Sequence, residues 1–321
     1  MRRDSERGAA LLTVLLLVAI ISVIAATALE RLRLSTRLAA NAVALDAARG
    51  YAYAAETLAT TRINALLQQA PDRTAMADSW SNKPFGLPIP GGAATARVRD
   101  GGNCFNLNSL VVMAPDGTFV ANPATIQQFA RLARLVRVSN GESIAAATAD
   151  WIDSDDTAVT NGAESEAYDG YRTAGTLMAD VSELRAVKGV TADAYAALRP
   201  WLCTLPTAER ANINVNTLAP EQAPLLAMLL PDSMGIQQAQ SLLLRRPPQG
   251  YGTTDPFWNQ VSTAGGGVPL LDAKTQTGVK SNWFALTVDV TTNGAELHET
   301  GLIDARTLPV RLVSRQWGDV P

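Results

Sequence analysis

Histidine is almost missing from this chain of 321 residues: His298 is the only one, and there are two cysteines, Cys104 and Cys203. That count excludes zinc sites built from four cysteines or from two cysteines and two histidines, and with them a His-rich metalloenzyme. Positive charge is also short. The 27 Lys and Arg against 30 Asp and Glu leave a formal charge of −3 and a pI near 5.3, so no overall basic field exists to attract nucleic acid. Charged residues make up 18% and hydrophobic ones 47%, which excludes wholesale disorder. No P-loop, no GxGxxG following a strand and no GxSxG occurs. These absences lean away from an enzyme. His298 lies between Leu297 and Glu299 in a strand-like run and reads as a surface residue rather than a catalytic one.

What is present is a long apolar run near the start. Residues 1–8 (MRRDSERG) are charged, and residues 9–29 (AALLTVLLLVAIISVIAATAL) carry no charge. At helical rise such a run spans roughly 30 Å, enough for a bilayer core. Arg2, Arg3 and Arg7 precede it and favour a cytoplasmic N-terminus, so the chain after residue 30 sits outside the cytoplasm. A signal peptide has a shorter core and a small-residue cleavage site, and a plain membrane anchor is a second reading. The third rests on Gly8: a glycine between a charged leader and a long apolar helix resembles type IV prepilins. There a membrane peptidase cuts after the glycine and methylates the new N-terminus, here Ala9. The helix continues past the membrane. Residues 30–70 contain no proline and one glycine, Gly50, and Leu34, Leu38, Leu45, Ala48, Ala52, Ala55 and Leu58 share one face. Arg33, Arg37, Asp46, Arg49 and Glu56 mostly avoid it, and Pro71 ends the pattern. The expectation is one helix with a transmembrane half at 9–29 and an outer half at 30–70 packed on a domain.

The remainder reads as a β domain, 71–122 and 276–321, interrupted by an α-domain at 123–275. Residues 81–92 read as loop; 93–99 and 103–113 read as strands. Three strand-like runs follow at 283–292, 295–305 and 308–317, the first two joined by the hairpin signal Asn293–Gly294. Residues 262–267 (STAGGG) read as a flexible exit from the insert. Within it, 183–198 around Gly189 and 214–246 around Gly235 resemble helix-hairpin-helix (SAM-like) units. Pro231 and Asp232 occupy the second hairpin and few lysines flank either one, so both read as packing units rather than phosphate-binding hairpins.

The candidate for chemistry is acidic. Asp150, Asp153, Asp155, Asp156, Glu164, Glu166 and Asp169 crowd one stretch, with no Lys or Arg between Arg137 and Arg172. Such charges repel unless solvated or neutralised by a cation, and hard oxygens without His or Cys select Ca²⁺. Counted from Asp153, Asp155 and Glu164 fall at EF-hand positions 3 and 12, but Ala158 stands where that loop needs glycine. An irregular calcium loop and a solvated acidic loop both fit. Cys104 and Cys203, outside the cytoplasm, pair as a disulfide pinning the insert to the sheet domain, or remain two buried thiols.

Taken together, RGAALLTVLLLVAIISVIA, CFNLNSLV, ADWIDSDD, NGAESEAYDGY, MADVSELRAVKGV and INVNT resemble the type II secretion system protein K family, the large minor pseudopilins. The resemblance implies an α+β, pilin-like fold: a long N-terminal transmembrane helix, a small antiparallel sheet domain and a large inserted α-domain. It implies cleavage at Gly8–Ala9 by prepilin peptidase, methylation of Ala9 and a single pass through the inner membrane with the C-terminal domain in the periplasm. It also implies a place at the pseudopilus tip above the major pseudopilin filament, with minor pseudopilins I and J as partners. Calcium is implied in the acidic region, with Asp153, Asp155, Glu164 and Glu166 as ligands. Thr13 is the fifth residue after the cleavage point, where most pilins carry a glutamate that pairs with a neighbour's amine; the protein K family lacks that glutamate, which fits a subunit with nothing above it. The alternative is a minor pilin of a DNA-uptake or adhesive type IV system, which the acidic charge opposes; no nucleic-acid partner is expected.

Overall fold

In the computed structural model, residues 3–77, 80–230, 233–267, 271–292 and 294–318 are described, with side chains from residue 9 onward. Pro231, Asp232 and Asn293, singled out above, lie outside the described residues. Helix α1 (Arg3–Gln69) is a single element of 67 residues. It ends just before Pro71, as the breaker requires. From Ala9 to Val43 every side chain is exposed. Burial begins at Ala48 and continues through Ala52, Ala55, Ala59, Ile63 and Leu67, in steps of three and four. Leu34 and Leu38, expected on the packed face, stay about 60% exposed because the sheet does not reach that far along the helix. Glu56, expected on the polar face, is buried among the alanines.

Downstream of α1 the chain runs through β1 (Phe85–Ile89) and β2 (Gly92–Asp100), then β3 (Phe105–Asn106), β4 (Val111–Met113) and β5 (Phe119–Ala121). Helices α2 (Pro123–Leu135), α3 (Gly141–Ile152) and α4 (Ala192–Leu198) follow, with β6 (Leu202–Cys203) and β7 (Ile213–Asn214). Helices α5 (Ala223–Ala227), α6 (Ile236–Leu244), α7 (Asp255–Val261) and α8 (Leu271–Thr275) lead to β8 (Thr277–Gly278), β9 (Trp283–Thr292), β10 (Ala295–Asp304) and β11 (Arg311–Trp317). Five strands form one antiparallel sheet in the order β1-β2-β9-β10-β11. Alternation along β9 sends Phe284, Leu286, Val288 and Val290 inward to meet Ala48, Ala52, Ala55, Ala59, Ile63 and Leu67 of α1 in one core. Strand β1 occupies part of the expected loop 81–92. Pro88 is tolerated there because β1 is an edge strand.

The insert begins earlier than the pattern indicated. Residues 103–113 do not extend the sheet: Phe105, Leu107, Leu110 and Val111 are buried in the core of the helical part with Phe129 and Ile152. The boundary therefore lies just after Asp100, not at 122. Inside the insert a local pattern occurs twice, FNLNSL at 105–110 and INVNTL at 213–218. Each copy opens a module whose first strand pairs in parallel with the strand that closes it, β3 with β6 and β7 with β8. The asparagines do the closing. Asn106 and Asn108 donate to the carbonyls of Thr207, Glu209, Met178 and Leu205 at 2.8–2.9 Å. Asn214 donates to Thr74 O and Ser281 Oγ, and Asn216 to Tyr251 O, at 2.9–3.0 Å. Side-chain amides suit this because each carries two donors and an acceptor. The second module is tied to the sheet through Asp100, whose buried carboxylate accepts from Thr217 Oγ1 and Ser281 Oγ at 2.5 Å and from the Gly102 amide at 2.8 Å.

The structure joins Cys104 to Cys203, with Cα atoms 5.8 Å apart. Both belong to the first module, beside the β3–β6 pair, so the bond staples that module's opening to its own closure rather than the insert to the sheet. It borders the sheet by packing with Trp283 and Leu302. The stretch 262–267 is not a loose exit either. Ser262–Gly266 continues α7 as a π-helical turn. Gly265 and Gly267 take positive φ there, and a Cβ on Gly266 would meet Val261 and Met234 at 2.6 and 2.8 Å.

Candidate metal centre

Helix α3 ends at Ile152, and Asp150 and Asp153 stand three residues apart at that end, on one face. The chain then loops out and returns, so that Glu164, at the start of the 3-10 turn Ser165–Ala167, faces them. One carboxylate oxygen from each of the three lies within 4.8 Å of the others, and all three residues are buried. Asp150 organises the loop: its Oδ1 accepts from the Val159 amide at 3.0 Å and its Oδ2 from the Ala163 amide at 2.5 Å. Gly162 must be glycine for this, since a Cβ there would sit 1.9 Å from Asp150 Oδ2. Glu164 Oε2 accepts from Thr173 Oγ1 at 3.4 Å. Asp153 Oδ1 and Glu164 Oε1 are buried and, among the described residues, have no hydrogen-bond partner.

The electrostatics are those of anions short of a cation. Burial, then the charges of Glu164, Asp150 and Asp155, push the Asp153 carboxyl up to about 7. Burial likewise raises Asp150, against the bonds from Val159 and Ala163, and Glu164, with the Asp150 charge adding to it. Three hard oxygen donors in one pocket, two of them with orphaned atoms, make a cradle for a divalent ion of the calcium class. Of the four expected ligands, Asp153 and Glu164 come together. Asp155 and Glu166 are exposed, and Asp155 accepts from the Thr157 amide at 2.7 Å. Asp150 takes a place in the cluster that a linear EF-hand count assigns to no residue, because the first two acids belong to a helix end and not to a loop. The neighbouring rings of Trp151 and Tyr168 lie 5.5 Å apart.

The other singled-out residues fall elsewhere. Gly8 lies within the backbone of α1 and Ala9 is exposed on it. Thr13 Oγ1 donates to the Ala10 carbonyl at 2.8 Å. His298 pairs with Asp289 at 2.7 Å, and Asp289 also accepts from Arg97 at 3.0 Å, an ion cluster across three strands. The first segment resembling a helical hairpin is a 3-10 turn (Val181–Ala186), Gly189 at φ +85° and α4; the second pairs α5 with α6, with Gly235 as the α6 N-cap. Arg246 beside it donates to the carbonyls of Val215 and Leu218 at 3.1 and 2.7 Å, which turns its charge inward. One cluster escaped the sequence pattern: Glu56 of α1, Glu299 of β10 and Arg315 of β11 meet between helix and sheet. Its only signal is that Glu299 shares the inward alternation of Leu297, a hydrophobic position by pattern.

These features define an α+β protein with, among the described residues, one helix long and apolar enough to cross a membrane, a five-stranded sheet on its distal half and a two-module insert holding an acidic pocket. Two family models, each described as type II secretion system protein K, match residues 103–207 and 213–280, the two modules in turn. Protein K of Pectobacterium carotovorum subsp. carotovorum is 33% identical over 98% of this chain and 98% of its own. That of Aeromonas hydrophila is 35% identical over 87% of each. A solved GspK–GspI–GspJ complex from enterotoxigenic Escherichia coli contains a chain 30% identical, with a TM-score of 0.73, over 86% of this chain and 97% of that one. The chain belongs to the type II secretion system protein K family and is a minor pseudopilin of that system.

Proposed function

We propose that the protein stands at the tip of a periplasmic pseudopilus, where it joins minor pseudopilins I and J and helps to start the filament that moves folded proteins across the outer membrane. The observation that carries this is the insert. Two modules spanning 103–280 project from a sheet of five strands, and a bulge of that size does not repeat within a close-packed helical stack. The similarity to the chain solved with GspI and GspJ supports the partners. Thr13 supports the end position: its hydroxyl is satisfied by its own helix and needs no neighbour's amine. On this reading the leader is removed after Gly8, Ala9 becomes the methylated terminus, and α1 crosses the inner membrane once. The soluble domain should co-purify with the heads of pseudopilins I and J, and a label in the insert should mark one end of isolated pseudopili. Label repeating along the shaft would remove the tip assignment.

The pocket of Asp150, Asp153 and Glu164 is read as a structural calcium site. A bound ion would supply the positive charge that the three carboxylates lack and tie the loop 154–163 to α3. The two helical pairs are read as packing units of the helix-hairpin-helix type.

A further inference from the structure

Glu56 and Glu299 face each other across the contact between α1 and the sheet. Glu299 is fully buried and Glu56 is 8% exposed. Arg315 grips Glu56 with two nitrogens: Nε reaches Oε1, and Nη2 donates to Oε2 at 2.7 Å. The guanidinium is held over the Tyr53 ring at 4.7 Å and the Trp317 ring at 5.8 Å. Glu299 is left with 3.8 Å to Arg315 Nε and, among the described residues, no hydrogen bond to either oxygen. The charged groups acting on it are Glu56 from α1 and Arg315 from β11, and Trp317 of β11 is a cross-strand partner. From β9 comes apolar Val288, its cross-strand partner, which is itself buried. Two carboxylates thus share one cation. A carboxylate without donors does not remain ionised in an apolar site. Protonated, Glu299 becomes a donor, and the Glu56 carboxylate is the acceptor next to it.

We propose that Glu56 and Glu299 hold one proton between them, that this proton closes the anchor helix onto the sheet, and that opening the contact releases it. The triad of acid, carboxylate and guanidinium is then neutral, and separating helix from sheet exposes an ordinary glutamate that ionises. Burial, followed by the hydrogen bond that a protonated Glu299 would donate to Glu56 and by the Glu56 charge, holds Glu299 up to about 8, against the usual 4.5. Burial acts upward on Glu56 too, but the Arg315 bonds, the hydrogen bond that a protonated Glu299 would donate and the Arg315 charge bring it below its ordinary value. The raised group sets the direction. Its contribution to closure is complete below 4.5, falls as pH rises and is gone by about 8. A neutral periplasm lies inside that window, so the grip of head on anchor is graded by proton concentration.

The test uses the full chain in detergent micelles with saturating calcium. Hydrogen exchange of the α1 amides near Glu56, corrected for intrinsic rates, reports the opening equilibrium. In the wild type that equilibrium should grow by about tenfold per pH unit between roughly 5 and 7 and level off near 8. In Glu299→Gln, which supplies a permanent neutral donor, it should be flat. Equal slopes in both proteins overturn the proposal. Should that variant not fold, the carboxyl carbon-13 signal of Glu299 in the wild type decides. A midpoint near 8 supports the shared proton, and one in the ordinary glutamate range refutes it.

Discussion

Asp153 is buried beside two other acids, and on the calcium reading its protonation would compete with metal. The folded value near 7 lies above the ordinary 3.8. Without metal this group adds stability that is complete below 3.8 and lost as pH rises toward 7. On that reading calcium would have to displace the same proton, so its affinity would weaken as pH falls through that range. The melting temperature of the soluble domain in EGTA should therefore decline from pH 5 to 7.5, while the rise produced by calcium grows over the same interval. At a hundredfold excess over Kd that rise corresponds to about 2.7 kcal/mol. Gly162→Ala forces a methyl against Asp150 and should abolish most of the calcium-dependent part; an unchanged calcium response would exclude the pocket. Gly8 makes a separate prediction. Mass spectrometry should find the mature N-terminus at Ala9 with one added methyl, and Gly8→Val should block processing, since a branched side chain crowds the scissile bond; an intact Met1 in assembled protein would contradict it. At this scale composition revealed that the acids lie together, because like charges without cations are visible in one dimension. Which three converge was not legible, because it depends on where α3 stops and the chain doubles back.

Among elements, the first module shows the clearest division of labour. A helix-rich segment with parallel bridges of two residues has few ladder bonds to hold its ends together, so closure falls to Asn106, Asn108 and the Cys104–Cys203 bond. In the chain-entropy account a crosslink across about 100 residues is worth up to ~4.7 kcal/mol, with 2–4 kcal/mol typical. Cys104→Ala should lower stability by about 2–4 kcal/mol, and the first loss of hydrogen-exchange protection should fall within 103–207 while β9 and β10 stay protected. Simultaneous loss in the sheet would mean that the bond acts across the domain boundary instead. Helix α1 and the strands β2, β9, β10 and β11 were readable from period and breakers. Strand β1 was masked by Pro84, Pro88 and Pro90, which exclude a central strand but not an edge. Residues 103–113 have strand-like composition, yet Phe105 and Leu107 find apolar partners in α2 and α3 rather than in the sheet. The paired motifs FNLNSL and INVNTL were in plain view, but their meaning lies in long-range amide bonds that no local pattern encodes.

For the whole molecule, the order of anchor, sheet and insert could be read from hydropathy, and the internal seams could not. The seam between sheet and second module runs through Asp100, Thr217, Ser281 and Asn214, polar residues whose burial becomes visible only once distant segments are brought together. One property of the assembled chain concerns the stretch of α1 between the apolar run and the sheet, whose side chains are exposed from residue 30 to Val43. Between Leu29, the last residue of the apolar run, and Leu45, the first leucine packed on the sheet, the helix is continuous and contains neither proline nor glycine. Such a segment transmits rotation as well as distance, since each residue advances about 1.5 Å and turns about 100°. Its length is therefore a phase angle: it fixes which azimuth of the head lies above which azimuth of the apolar run. Adding one residue there would lift the head by hardly more than a bond length, yet turn it by more than a right angle relative to the apolar run.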